Sequence, residues 1–473
     1  MKKTSMTIIT TLLICFCFTN YGHAKTETNQ YYTVILKDRS KWTQSIKKIK
    51  KSQGEITYTV PEIGLIQFKG NQKVAKTNAS LFKSLSPSLK LEKPSTSTSK
   101  SFKKPNSSVN SIKGLDSTLP ALWDMQWDMK EITHNGESYN IESGSSNVTV
   151  GIVDSGIDID HPDLVDNLKS GSKNLVPKGG LRGTEPEETG DINSINDING
   201  HGTMVAGSIA ANGEIKGVAP NTGIKVYRVF GNKSADAVWI IKAIIQAAKD
   251  DVDVINLSLG SYYIDGNIYK DGELLDNKWA DVEGYKLAIE YANKLGSVVV
   301  ASAGNDSIDV SNKSELNDFL KKKYAEEGKT FNGVGIEAPG ELPGVVTVSS
   351  TGPTQQLSLF SNFGKNYIDI AAPGGDSRLL EKYGQEAWWD GGLFRQEQVL
   401  TTFNTGRYLF ASGTSMAAPK VSATLALIID QRHYKNRPSN SIDYLYKNGV
   451  KKDVEPNLAY WGNGQLDVYN AVK

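Results

Sequence analysis

The chain has 473 residues, of which 38% are hydrophobic and 22% charged, and a formal net charge of +1. That length accommodates two or three domains with a sizeable core, and the composition excludes a chain too polar to fold. The two cysteines, Cys15 and Cys17, lie in the first two dozen residues, which excludes a disulfide framework once that segment is removed.

Residues 1–24 read as a secretory signal peptide. Lys2 and Lys3 precede an apolar run from Met6 to Phe18, and Gly22-His23-Ala24 puts small residues where a signal peptidase needs them. The run is too short for a spanning helix. Cys15 follows Leu13-Ile14, whereas a lipoprotein signal wants a small residue before the modified cysteine. No wall-sorting signal is visible before Lys473. The expectation is a secreted, extracellular monomer with no membrane anchor.

Residues 25–91 form a small α/β unit. Tyr32 to Leu36, Ile56 to Val60 and Gly64 to Phe68 carry strand signals, and Trp42, Ile46 and Ile49 carry helical spacing. Residues 92–114 are crowded with Ser, Thr, Lys, Asn and Pro and predict an exposed linker open to cleavage. From Lys25 to Gly114, 18 basic residues face 5 acidic ones; from Leu115 onward 33 basic residues face 47 acidic ones. The two parts should therefore attract each other. The basic tract lacks aromatic interleaving or a recognition helix, so nucleic acid is not an expected partner; a solvated basic face competes with an internal partner.

Residues 115–473 change to short apolar runs separated by helical segments, the pattern of a parallel sheet covered on both faces. Val148 to Val153, Ile224 to Phe230, Val252 to Leu257, Ser297 to Ala301 and Val345 to Val348 read as strands; Asp236 to Asp250 and Tyr285 to Leu295 read as helices. Chemistry in such sheets sits beyond the carboxyl ends of the strands. Asp154 directly follows the first strand and Asn305 lies just past the fourth.

Three glycine-bracketed blocks then stand out: Asp154-Ser155-Gly156, His201-Gly202-Thr203, and Gly413-Thr414-Ser415-Met416-Ala417-Ala418-Pro419. Singly each has a plain structural reading, because a strand-end Asp is often a helix cap, a lone His is often a core residue and Gly-Thr-Ser is a common turn. Together they supply an acid, a base and a nucleophile in the order Asp, His, Ser. In such a set the carboxylate fixes the imidazole tautomer and the imidazole takes the serine proton, then protonates the leaving amine.

These blocks resemble the three signatures of the subtilase family, over about Asn147 to His433. The resemblance implies a three-layer α/β sandwich with a mostly parallel central sheet, preceded by an inhibitory prodomain at 25–91 with maturation within 92–114. It implies serine endopeptidase activity on a peptide substrate, with Asp154, His201 and Ser415 catalytic and Asn305 in the oxyanion hole beside the Ser415 N–H. Ser258, Leu259 and Gly260 would pair with substrate as an added strand, and Ala303 and Gly304 would form the opposite pocket wall. No cofactor is implied for catalysis. A structural calcium ion belongs to the family's pattern, but the loop Asn212 to Gly217 is shorter than the usual ion loop, and no metal ligand is specified.

Insertions around Tyr262 to Gly284, Ser307 to Glu337 and Gly375 to Tyr408 resemble the subtilase branch that removes leader peptides from lantibiotic precursors, usually after a basic residue. Asp306, with Asp309 close by, suits an arginine at the cleavage point. A broad-specificity protease with the same triad remains the alternative, and a non-catalytic subtilase scaffold is a more distant one. An aspartic protease would need a second Asp-Ser-Gly copy with an apolar approach, and a Gly-x-Ser-x-Gly esterase is disfavoured by Ala417.

Overall fold

The computed structural model describes residues 29–93, 97–98, 101, 120–276, 279–451 and 457–473. The expected signal peptide and most of the expected linker lie outside these residues.

The centre is a seven-stranded sheet in the order Ile370–Pro373, Val345–Thr351, Val298–Ser302, Val254–Leu257, Thr149–Asp154, Gly223–Arg228 and Lys173–Asn174. Every pairing in it is parallel. Val298 and Val300 pack with Val205, Ala418 and Val421 on one face, whereas the alternating Val299 and Ala301 pack with Ile241, Ile244 and Tyr285 on the other. A strand buried on both sides must be apolar at every position, which is why these runs are continuous rather than alternating. Helices His201–Ala210 and Thr414–Arg432 cover the first face, and Ala237–Lys249 and Trp279–Lys294 the second.

The five strands expected from the apolar runs are present to within a few residues. Lys173–Asn174 and Ile370–Pro373 were not foreseen, being two and four residues long. The insertions differ more. Ser261–Lys270 and Lys329–Ala338 pair antiparallel over ten residues each and flank the helix Lys313–Glu326. Their polar alternation hides strands that bury only one face, so they read as loops.

The N-terminal unit is a four-stranded antiparallel sheet ordered Glu55–Val60, Leu65–Gly70, Gln30–Leu36, Phe82–Pro87. Val34, Ile66 and Phe68 pack with Ile49 and Val74 of its own helices Trp42–Lys51 and Gln72–Asn78, while Ile35, Val60 and Leu65 join the core beneath Ala237–Lys249 and Trp279–Lys294. Among the described residues few ion pairs cross this contact. Lys83 with Glu283 at 2.5 Å has the expected sense, whereas Glu62 with Lys249 at 2.6 Å and with Lys242 at 3.4 Å has the reverse. Apolar burial, more than net charge, holds the unit down.

Candidate active site

The three blocks meet at the carboxyl edge of the parallel sheet. Asp154 ends the strand Thr149–Asp154, His201 begins one helix and Ser415 is the second residue of another. The glycines allow the approach: a β-carbon on Gly202 would lie 2.1 Å from the Gly156 carbonyl oxygen, so the turn after Asp154 and the start of the His201 helix touch backbone to backbone.

His201 Nδ1 lies 2.8 and 2.9 Å from the two Asp154 carboxylate oxygens, and both residues are buried. With Nδ1–H donating to the carboxylate, the free lone pair is on Nε2, which is buried without a hydrogen-bond partner. Burial works against a charged imidazole, but the Asp154 charge, its hydrogen bond and the Asp197 charge outweigh it and raise the His201 pKa above the ordinary histidine value. The Ser415 hydroxyl donates to the Ser258 carbonyl oxygen at 3.2 Å. The structure therefore joins Asp154 to His201 and holds the third group, Ser415, on a different acceptor.

Pro419 explains a second contact of Ser415. Four residues into the helix from Ser415, it lacks the N–H that would bond the Ser415 carbonyl, and the Ser258 hydroxyl donates there instead at 2.9 Å. Asn256 donates to Ser258 Oγ at 3.0 Å and accepts from Ser422 at 2.8 Å, so this buried polar chain ties the strand end to the helix. Further along the helix, buried Lys420 meets Asp128 at 2.9 Å, which anchors the segment Trp127–Ile132.

Asn305 Oδ1 accepts from the Thr414 N–H and hydroxyl, each at 2.9 Å. A backbone N–H only donates, so the amide oxygen is the atom it meets, and the Nδ2 donors are on the other side of an amide that lines the cavity beside Ser415. The sequence reading passed over Asp197. Its carboxylate accepts from Ser155 Oγ, Asn199 N, Gly200 N, Thr203 N and Thr203 Oγ1 at 2.7–2.9 Å, tying the turn after Asp154 to the first turn of the helix that carries His201. Its signal was an acid four residues before the histidine with a threonine two after.

The cavity measures about 600 Å³, and its lining includes Ser258, Leu259, Gly260, Gly304, Asn305, Asp306, Tyr262, Glu337 and Ser415. Ala303 departs from expectation: it is buried among Ile308, Val310 and Leu316, behind the wall, and its carbonyl accepts from Asn362 and Tyr367. Asp306 is exposed and accepts from the Tyr262 hydroxyl at 2.7 Å. Asp309 does not line the cavity; its carboxylate receives Ser311 and Asn312. An added strand is present on an edge the sequence did not reveal, where Lys90–Glu92 pairs antiparallel with Ser234–Asp236.

The short loop at 212–217 closes on Asp163, whose carboxylate accepts from Ile215 N at 3.0 Å and from the Tyr408 hydroxyl at 2.7 Å.

The model of the subtilase family matches residues 145–462. The chain is 41% identical over 458 residues to the epidermin leader peptide-processing serine protease of Staphylococcus epidermidis, covering 96% of this chain and 95% of that one. It is 42% identical over 315 residues to the nisin leader peptide-processing serine protease of Lactococcus lactis subsp. lactis, covering 67% of this chain and 45% of that one. Among solved structures, the epidermin leader peptide processing serine protease from Staphylococcus aureus superposes with a TM-score of 0.82 at 39% identity, covering 94% and 98% of the two chains.

Proposed function

The chain belongs to the subtilase family and is a serine endopeptidase, and from that premise we propose that it removes the leader peptide from a lantibiotic precursor, cutting after a basic residue, outside the cell. The likeness of 41% along nearly the whole length to an epidermin leader-processing enzyme is the observation that carries the substrate. Among the described residues no helix is long and apolar enough to cross a membrane.

In this reading Ser415 Oγ is the nucleophile. It leaves the Ser258 carbonyl, turns its proton to His201 Nε2 and attacks the scissile carbonyl carbon. Asp154 stabilises the imidazolium, and the charge that develops on the carbonyl oxygen is met by Asn305 Nδ2 and the Ser415 N–H at the helix start. The imidazolium then protonates the leaving amine, and water enters by the reverse path to release the acyl group. An unpartnered buried Nε2 suits a base awaiting its donor.

The N-terminal unit serves as the inhibitor of its own enzyme. Lys90–Glu92 lies along Ser234–Asp236, Leu89 N donates to Asp281 at 2.9 Å, and Ser97 pairs with Ser412, two residues from Thr414. A chain that lines the cavity of Ser415 at Glu92 and Lys93 and pairs with Ser412 at Ser97 favours self-cleavage between them, within the expected linker. The test is incubation of the matured enzyme with a lantibiotic precursor and mass spectrometry of the products. A single cut at the leader boundary after a basic residue is expected. Cleavage scattered through the precursor would replace this reading with that of a broad-specificity protease.

A further inference from the structure

The cavity beside Ser415 contains a titratable group that the catalytic cycle does not use. Glu337, one residue from the end of Lys329–Ala338, lines it and is 2% exposed. Its Oε2 lies 3.2 Å from the Tyr367 hydroxyl, whose one proton goes to the nearer Ala303 carbonyl. A β-carbon at Gly260 would stand 2.2 Å from Oε1, so that oxygen presses against the backbone of the pocket wall.

A carboxylate so enclosed is costly without a cation. Among the described residues Glu337 forms no ion pair; Lys313 is bound to Glu341 and to the Gly335 carbonyl. Burial, with the Glu341 charge adding, holds the Glu337 pKa well above the carboxylate range. The other titratable groups around it are the hydroxyls of Tyr262 and Tyr263 on Ser261–Lys270, Tyr285 on Trp279–Lys294, and Tyr367. The cations at the rim are engaged elsewhere: Lys323 lies over the Tyr262 and Phe319 rings, Lys329 pairs with Glu327, Lys93 donates to the Asn232 carbonyl, Lys90 pairs with Glu92 and Arg182 donates to the Ser88 carbonyl. Asp306, the residue the sequence favoured, is exposed and already bonded to Tyr262.

We propose that Glu337 is the specificity-determining residue of this pocket, selecting an arginine or lysine side chain immediately before the scissile bond. This rests on the endopeptidase reading of the site. A guanidinium supplies the cation the carboxyl lacks, whereas a neutral side chain leaves it buried without one. Binding of the cation draws Glu337 into its ionised form, so preference for charge grows as pH rises through the range in which the empty pocket titrates.

The experiment compares two peptides identical except for arginine or its neutral isostere citrulline at that position, using the matured enzyme. Rates are normalised to sites labelled by a fluorophosphonate. A preparation that neither labels nor cleaves either peptide contradicts the hydrolase reading; the arginine-to-citrulline ratio reports on Glu337 alone. Wild type should favour arginine, and Glu337→Gln should cut kcat/KM for the arginine peptide by about 10²-fold while the citrulline peptide loses far less. Equal losses on both peptides, no preference in wild type, or a preference abolished by Asp306→Asn and kept by Glu337→Gln would overturn the proposal. Should the glutamine protein fail to mature, the wild-type pH series decides: the ratio must climb with pH, and a flat ratio overturns it.

Discussion

The two walls of the cleft come from different parts of the chain. On the catalytic wall, Asp154, His201, Asn305 and Ser415 sit at or just beyond the ends of strands and at the starts of helices packed on the central sheet. On the pocket wall, Tyr262 and Glu337 come from an antiparallel pair, Ser261–Lys270 with Lys329–Ala338, which lies outside that sheet. In the function proposed above, the core sets the reaction geometry and an appended antiparallel pair sets what enters. Substitutions on the first wall should therefore lower turnover of every substrate alike, and those on the second should redistribute it among substrates.

The largest effect expected on the catalytic wall is from Ser415→Ala. Turnover should fall about 10⁶-fold, the loss seen when the corresponding serine is removed from the related enzyme subtilisin. The precursor should also remain uncut, which gel mobility and intact mass would report. A Ser415→Ala chain that matures unaided would contradict self-processing.

Next comes Asp154→Asn, which keeps the shape and removes the charge. It should lower kcat about 10⁴-fold by favouring the wrong imidazole tautomer. The pH profile carries a second reading. Activity requires neutral His201, whose pKa is raised, so kcat/KM in wild type should decline on acidification from above the usual histidine range. Removing the Asp154 charge removes the main raising influence, and the acid limb of the residual activity should move to lower pH. An unmoved limb would mean that a different group titrates.

Asn305→Ala should cost about 10²- to 10³-fold in kcat with little change in KM. Thr414→Val sharpens the comparison, since it removes one of two bonds that orient the amide; a loss of about tenfold is expected from one hydrogen bond of ordinary strength. A larger effect on KM than on kcat in either variant would move Asn305 from the reaction to substrate binding.

What could be read from the sequence follows the same division. The catalytic wall was legible because its residues sit in rigid local contexts: continuous apolar strands, glycines where backbones touch, and a helix start after Gly413-Thr414. Asp197 escaped because its carboxylate acts through five donors that only folding brings together. Glu337 escaped because an acid near the end of a polar-alternating strand looks like surface, and its burial depends on Gly260, Gly340 and Tyr367, which are distant or irregular in sequence. Ala303 erred the other way: the family resemblance placed it on the wall, but just past the strand Val298–Ser302 it is buried among Ile308, Val310 and Leu316. The edge Ser234–Asp236 is three residues long, below what periodicity can resolve.

The smallest effect expected tests where the N-terminal unit meets the cleft. Asp236 pairs through its backbone with Lys90, and its carboxyl is buried where Gln67 of the N-terminal sheet approaches; Oδ1 has no hydrogen-bond partner and Oδ2 is 3.9 Å from Arg182. Burial pushes its pKa up to about 6, with the Arg182 charge pulling the other way. Once the unit departs, the carboxyl regains water and an ordinary pKa near 4. The docked state thus binds the proton more tightly, so this residue favours docking fully below about pH 4 and loses that contribution as pH rises through about 6. Inhibition of the self-cleaved enzyme by its own released segment should weaken roughly tenfold between pH 5 and 7.5, measured as the rate at which activity appears after cleavage. Asp236→Asn should flatten that dependence while leaving kcat on a short peptide nearly unchanged. A wild-type pH dependence that survives the substitution would locate the sensitivity in another group of the interface.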